Sequence, residues 1–568
     1  MYRPSRPALW DRLSTILAWW LIFTDCTVHA VSPWIMAWSD DKFGPDGPWQ
    51  AVSVGVGTPA QTIALYPGGR WSSGILLTTI CDNQTTSSTC YAKKAGLFDQ
   101  TESSTGGNVT QPTSWASYSS ASVDGEVWKN TFYDQVTLAG ATTIPNVSMV
   151  GIHYAYQTYP NGRSYPIEVG TLSLGAPALN HVWEVYMTFI TSYMWTTASR
   201  RIPSYSYGLH IGSVALGIPG SLLLGGYDQN RIMGAVSSQS FSPYGKRAGG
   251  NLVIGLQRIE IGVATGGSPW NYTKKGNLLT ESNSSMIAPV SVELDPLRPY
   301  LYLPQSTCDA ITSQLPVTFD NGLGLYFWNK SSSHYRSIVS SPAYLSFMFQ
   351  KDSTNNQNIT IKVPFSLLNL TLEAPLVDSD TSYFPCFPTN ESYTLGRAFL
   401  QAAFIGENYA SGDGNGAWFL AQAPGPGVID TPTQVNIEVD DRTIAGTDDS
   451  WEVSWEAHWT PLALANTTAS DSKLSQSSTG LSEGAKIGIG VGIGCASAIV
   501  ICALVWFFIR RRRKAAAENQ PHVSQMTLHS YSTPLTERQE LADKDTSSRI
   551  HEAPNDVSHI RNGTYELD

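Results

Sequence analysis

Charge is scarce in this chain, and what there is leans acidic. Asp, Glu, Lys and Arg make up 14% of the 568 residues, and the net charge is −11. The stretch after Ile509 carries nine basic and nine acidic residues, and the first thirty residues carry three Arg and two Asp, so −12 falls on residues 31–509. A body of that sign excludes the clustered Lys and Arg of nucleic-acid binders. Metal spacing is missing too. There is no His-Glu-x-x-His and no Cys-x-x-Cys, and the histidines from His153 to His458 are scattered, so no metal is expected. The glycines at Gly225-Gly226 and Gly245–Gly250 lack the Gly-Lys-Ser/Thr of a phosphate loop, and between Trp49 and Gly425 there is no Gly-x-Ser-x-Gly elbow. No cofactor is expected. Long amphipathic helical patterns are absent as well, which leaves a β-rich body.

Two apolar runs set the topology. Arg3, Arg6 and Arg12 precede Leu13–Phe23, and Val28-His29-Ala30 suits cleavage, so residues 1–30 read as a secretory signal. That run is too short to span a bilayer, which needs about 20 apolar residues. Ile487–Ile509 is 23 residues long and uncharged, and Arg510–Lys514 follow at once. It is long enough to cross a lipid bilayer, and the basic cluster puts the C-terminus in the cytosol. The expectation is a single-pass type I membrane protein of the plasma membrane or vacuole, its bulk outside the cytosol. Two overlapping Gly-x-x-x-Gly pairs, Gly488–Gly492 and Gly490–Gly494, fit helix dimerisation or simply small residues in a membrane helix.

Cysteine and glycosylation signals agree with an oxidising compartment. Cys26 leaves with the signal, and Cys495 and Cys502 fall in the membrane run. Of the three pairings open to Cys81, Cys90, Cys308 and Cys386, Cys81–Cys90 closes a small loop, which leaves Cys308–Cys386. Ten N-x-Ser/Thr sequons, at Asn83, Asn108, Asn146, Asn271, Asn283, Asn329, Asn358, Asn369, Asn390 and Asn466, predict a heavily glycosylated surface.

From Trp49 to about Gly425, short alternating runs broken by Gly, Pro, Asn and Ser predict strands, among them Ala51–Val56, Gln135–Leu138, Ser221–Leu224, Asn251–Ile261 and Ile359–Val363. Ser306–Gln314 reads as a short helix with a Ser N-cap, and Tyr393–Phe404 as partly helical. Six segments then carry a resemblance. They are Gly57-Thr-Pro-Ala-Gln61 with its following strand, Tyr118–Gly125, Tyr207–Arg231 with its Leu-Gly-Gly-Tyr-Asp, Val292–Pro304, Thr394–Leu400 and Trp418–Ala423. In order and spacing they resemble the pepsin-like aspartic peptidases, and most of all a divergent, membrane-anchored fungal branch that shares the Leu-Pro-x-x-x-Cys at Leu303–Cys308. The resemblance implies a mainly β, bilobal pepsin-like fold with one C-terminal transmembrane helix. Its lobes would span 31–245 and 246–425, followed by a Ser/Thr-rich stalk at 426–486, the membrane helix at 487–509 and a disordered cytoplasmic tail at 510–568.

The same resemblance implies an incomplete active site. The family places its first catalytic Asp seven residues after the Gln and thirteen before the first loop cysteine, and both counts land on Gly68. Tyr66 is the other candidate if the strand is two residues shorter. No Asp or Glu occurs from Gly47 to Cys81, and no Asp-Thr/Ser-Gly triplet exists anywhere. Asp295 takes the second catalytic place, with Pro296-Leu297 where Thr/Ser-Gly would be. Arg70 falls in the first loop, either paired with Asp295 or turned to solvent, and Tyr118 is either a flap residue over the cleft or a packing tyrosine in a strand. Peptide hydrolysis by this family needs two carboxylates about 3 Å apart sharing one proton. The expected function is therefore a glycosylated, membrane-anchored, non-catalytic homologue whose cleft binds an extended peptide or a cell-surface or cell-wall partner. The alternative is an active aspartic endopeptidase with an atypical site.

Overall fold

A computed structural model describes residues 31–464, apart from 71–72, 83–88, 109–127, 141, 177–187, 198–199, 242–249, 282, 284, 353–356 and 415. The signal, the membrane run, the tail, Tyr118, Asn83 and Asn466 lie outside the described residues. The fold is mainly β, and four larger sheets organise it.

A seven-stranded sheet draws only on residues 52–175. Its strand Val52–Val56 turns Val52, Val54 and Val56 inward, the two-residue period read from the sequence. Val52–Val56 pairs antiparallel with Gln61–Arg70, which pairs in parallel with Gly170–Gly175. An eight-stranded sheet draws only on residues 252–395, with Leu252–Val263 at its centre. There Val290–Leu294, the strand leading to Asp295, also pairs in parallel with a later strand, Thr394–Leu395. A four-stranded sheet uses residues 317–384.

The fourth, six-stranded sheet mixes strands from distant parts of the chain, in the order Trp34–Ile35, Ser221–Leu224, Ser206–His210, Ala403–Asn408, Ala417–Gln422, Met233–Ser240. Its central strands are buried along their whole length. Such continuous apolar runs need cover on both faces. Ile405, Trp418 and Leu420 enter the main core on one side. On the other, Phe404, Phe419 and Ala421 pack with Tyr227, Ile232 and Ile437. Ile437 comes from beyond Gly425, so the cover is supplied by the segment expected to be stalk.

That boundary is corrected accordingly. Gln434–Asn436 pairs with Gly226–Asp228. Trp451 and Trp455 are buried, and Trp455 stacks on Trp459 at 5.5 Å between ring centres. Residues 426–464 thus belong to the folded body. The segment is polar enough to read as a linker, but its few tryptophans and Ile437 have apolar surface waiting for them. The helix expected from a Ser306 N-cap instead runs Gln305–Thr312 behind Pro304, with no side-chain cap. The Pro304 carbonyl accepts from the amides of Thr307 and Cys308, each at 3.0 Å, which does the work expected of the serine hydroxyl.

Both disulfides form as expected, Cys81–Cys90 and Cys308–Cys386, with Cα separations of 5.6 and 5.9 Å. Asn108, Asn146, Asn271, Asn329, Asn358 and Asn390 are exposed, while Asn283 and Asn369 are half-buried. Asn369 also accepts a hydrogen bond from the Tyr335 hydroxyl. Replacing Trp455 with Ala tests the corrected boundary. The expected cost is about 3–5 kcal/mol, as for a core tryptophan, read from urea unfolding. A change within about 0.5 kcal/mol, the range of an exposed site, would return the segment to the stalk.

Candidate functional site

Gly68 and the loop after Asp295 meet directly. Gly68 has φ +123°, a conformation that favours glycine. A Cβ placed on it would lie 2.1 Å from Pro296 Cγ, far inside contact distance. The ring of Pro296 therefore fills the space into which any side chain at position 68 would have to grow. Position 68 is closed to a carboxylate by backbone and by neighbour alike.

Asp295 is buried, and its contacts are those of a structural acid. Its Oδ1 accepts from the Leu297 amide at 2.9 Å, the pattern in which Asp closes a turn on its own backbone. Its Oδ2 lies 4.0 Å from Arg298 Nε, and its amide donates to the Leu395 carbonyl at 3.2 Å. Arg298 in turn lies over the Tyr302 ring at 4.9 Å. Among the described residues the guanidinium beside Asp295 is thus that of Arg298. Arg70 ends the strand Gln61–Arg70, and its side chain lies outside the described residues.

A second arginine organises the rest. Arg397 is 6% exposed, in the run Thr-Leu-Gly-Arg-Ala-Phe-Leu. It donates through Nη1 to the carbonyls of Pro296 (3.3 Å) and Leu297 (2.8 Å), and Nη2 lies 3.9 Å from Asp46 Oδ1. Its guanidinium carbon sits 4.3 Å from the centre of the Tyr66 ring and 4.9 Å from that of Trp49. Trp49 Nε1 donates to Asp46 Oδ1 at 2.8 Å, and the Tyr383 hydroxyl donates to the Asp46 carbonyl at 2.5 Å. Tyr66 is therefore an aromatic support for a buried cation and does not stand in for a catalytic acid.

A cavity of about 80 Å³ opens beside this cluster, lined by Asp46, Tyr66, Tyr159, Glu168, Leu297 and Arg397, among others. Glu168 also lines an adjoining cavity of about 420 Å³ with Lys94, Glu373 and Asp380. Burial first, then the negative charges of Asp46 and Glu373, push the Glu168 carboxyl up to about 8, against the pull of Lys94. Asp378 and Asp380 are exposed. No group of three or more His, Cys, Asp or Glu able to hold a metal occurs among the described residues.

Asp46, Glu168, Arg298 and Arg397 were missed by sequence reasoning. Arg397 left the clearest trace, as a lone charge inside an otherwise apolar segment. Asp46 and Glu168 left none, since nothing local marks an acid that is buried by chain 120 residues away. Comparison with protein-family models and with curated proteins finds no match.

Two outcomes follow. Gly68→Asp is expected to cost at least about 1–3 kcal/mol from its backbone conformation alone, with the Pro296 contact added, and thermal melting checks this. Glu168 is raised in the folded chain, so its contribution is complete below its unfolded value near 4.5 and is lost as pH rises through about 8. The Tm of Glu168→Gln, which stays neutral, should therefore gain on that of the parent between pH 5 and 8. Parallel Tm curves would refute the buried, protonated acid.

Proposed function

We propose that this is a glycosylated, membrane-anchored, aspartic-peptidase-like surface protein that binds an extended peptide without cleaving it. The observation that carries the reading is the Pro296 ring in contact with Gly68, where the partner of Asp295 would have to stand. One carboxylate, held by the Leu297 amide and Arg298, has no second carboxylate among the described residues with which to split a pair of pKa values. General acid–base groups each contribute on the order of 10²–10⁴-fold to rate, so a lone, anchored acid leaves only a trace of turnover. The parallel pairing of both approach strands supports the bilobal pepsin-like reading of the body. The apolar run at 487–509 with its basic flank supports the type I anchor. Exposure of six sequon asparagines supports the glycosylated surface.

The full-length protein should show no peptide hydrolysis between pH 2 and 7 that a hydroxyl-bearing transition-state mimic suppresses. Such inhibitors gain affinity from groups that act only in the transition state. Inhibitor-sensitive cleavage that vanishes in Asp295→Asn would establish the endopeptidase reading instead.

A further inference from the structure

The small cavity beside Arg397 holds an unusual set of polar atoms. The Tyr66 hydroxyl, in a residue 9% exposed, has no hydrogen-bond partner among the described residues. Neither does Nε of Arg397, 6% exposed, nor Oε1 of Glu168. All three residues line the same cavity. Buried polar atoms are nearly always paired, and a buried tyrosine hydroxyl almost always finds a partner. Three orphans around one space therefore point to something that enters it.

We propose that this cavity is a side-chain pocket for a primary carboxamide, taking a Gln or Asn of a peptide bound in the cleft. The inference rests on the peptide-binding reading above and names the residue that reading leaves open. The hydrogen-bonding balance selects the group. Arg397 Nε–H is an obligate donor and the Tyr66 hydroxyl has a proton to give, while Glu168 Oε1 accepts. A carboxamide offers one oxygen with two lone pairs and an NH₂ with two protons, which satisfies all three. A carboxylate would suit the two donors but would meet the negative charge of Asp46. An ammonium would suit Glu168 but would meet Arg397. Size agrees as well. A water needs only about 10–15 Å³ of such space, so the cavity of about 80 Å³ has room for a carboxamide. The walls, Tyr159, Tyr165 and Leu297, give the aliphatic stem an apolar path.

Binding of three acetylated, amidated pentapeptides, Gly-Ala-X-Ala-Gly with X as Gln, Glu or Met, to the full-length protein at pH 6 tests this. The Gln peptide should bind at least about tenfold more tightly than the other two, the worth of a net hydrogen bond or more. Tyr66→Phe and Glu168→Leu should each bring the three within about threefold, with an unchanged near-ultraviolet circular dichroism spectrum showing the variants folded. Equal binding of the three peptides, binding of none, or a Gln preference that survives both substitutions would overturn the proposal. Binding of a β-glucan pentasaccharide but no peptide would overturn it too. Cleavage of the peptides would count against the non-catalytic reading and leave the Gln preference standing, so the two failures are distinct.

Discussion

A single buried guanidinium holds the centre of this protein together. Arg397 reaches three separate pieces of chain at once: the carbonyls of Pro296 and Leu297, the Asp46 carboxylate, and the faces of Trp49 and Tyr66. Taking a cation out of water costs several kcal/mol unless it is paired and hydrogen-bonded. That requirement makes each of the three pieces a condition for the others. Arginine suits the position where lysine would not, since its flat group can stack on rings and donate along its edge at the same time. The loop around Asp46 is fixed independently, because Thr371 and Glu373 donate their amides to Gly47 and Pro45. The acid therefore arrives at the arginine already placed, and little further entropy is lost in pairing them.

The consequence for Asp295 is that its surroundings are settled by backbone. Arg397 pins the carbonyls of the next two residues, and the Leu297 amide closes on the Asp295 carboxylate. In that turn the proline ring projects toward Gly68, and a flexible pair such as Thr-Gly would leave the space clear. An acid that shuttles protons needs a partner and room for a water between them. This one has a turn to close and a ring beside it. Gly68 and Pro296 are thus complementary in shape. An acid placed at 68 alone would put a carboxylate into the ring.

Much of the fold was legible, for reasons that differ by segment. Val52–Val56 announced itself by period, and Gly57–Gln61 and Leu303–Cys308 by turn and cysteine spacing. The two disulfides followed from loop closure. What the sequence hid was long-range cover. Trp418–Ala423 reads only as a late strand, and nothing local says that Ile437 and Val435 supply the layer over its second face. The stretch 426–464 is polar on average, and its membership in the body depends on a handful of apolar residues. The site was half legible. Counting from Gln61 and from Cys81 found Gly68, and the position of Asp295 followed from its approach strand. Pro296 was read as a departure from a motif, whereas its role as the group that fills the facing space is three-dimensional. The buried acids could not be found by counting, because their burial is made by strands far away in sequence.

Glu168 shows how the central ion pair shapes the space beside it. Asp46 is only partly neutralised by Arg397, whose nearest nitrogen is 3.9 Å away, and its remaining field falls on the next carboxyl. With burial already disfavouring a second negative charge, Glu168 is held protonated up to about pH 8. The cavity is then lined by a neutral acid, a phenol and the Arg397–Asp46 ion pair. Such a lining carries strong hydrogen-bonding capacity with almost no net charge, the condition under which a neutral polar group is preferred to either ion. An ionised Glu168 would make the space attractive to cations.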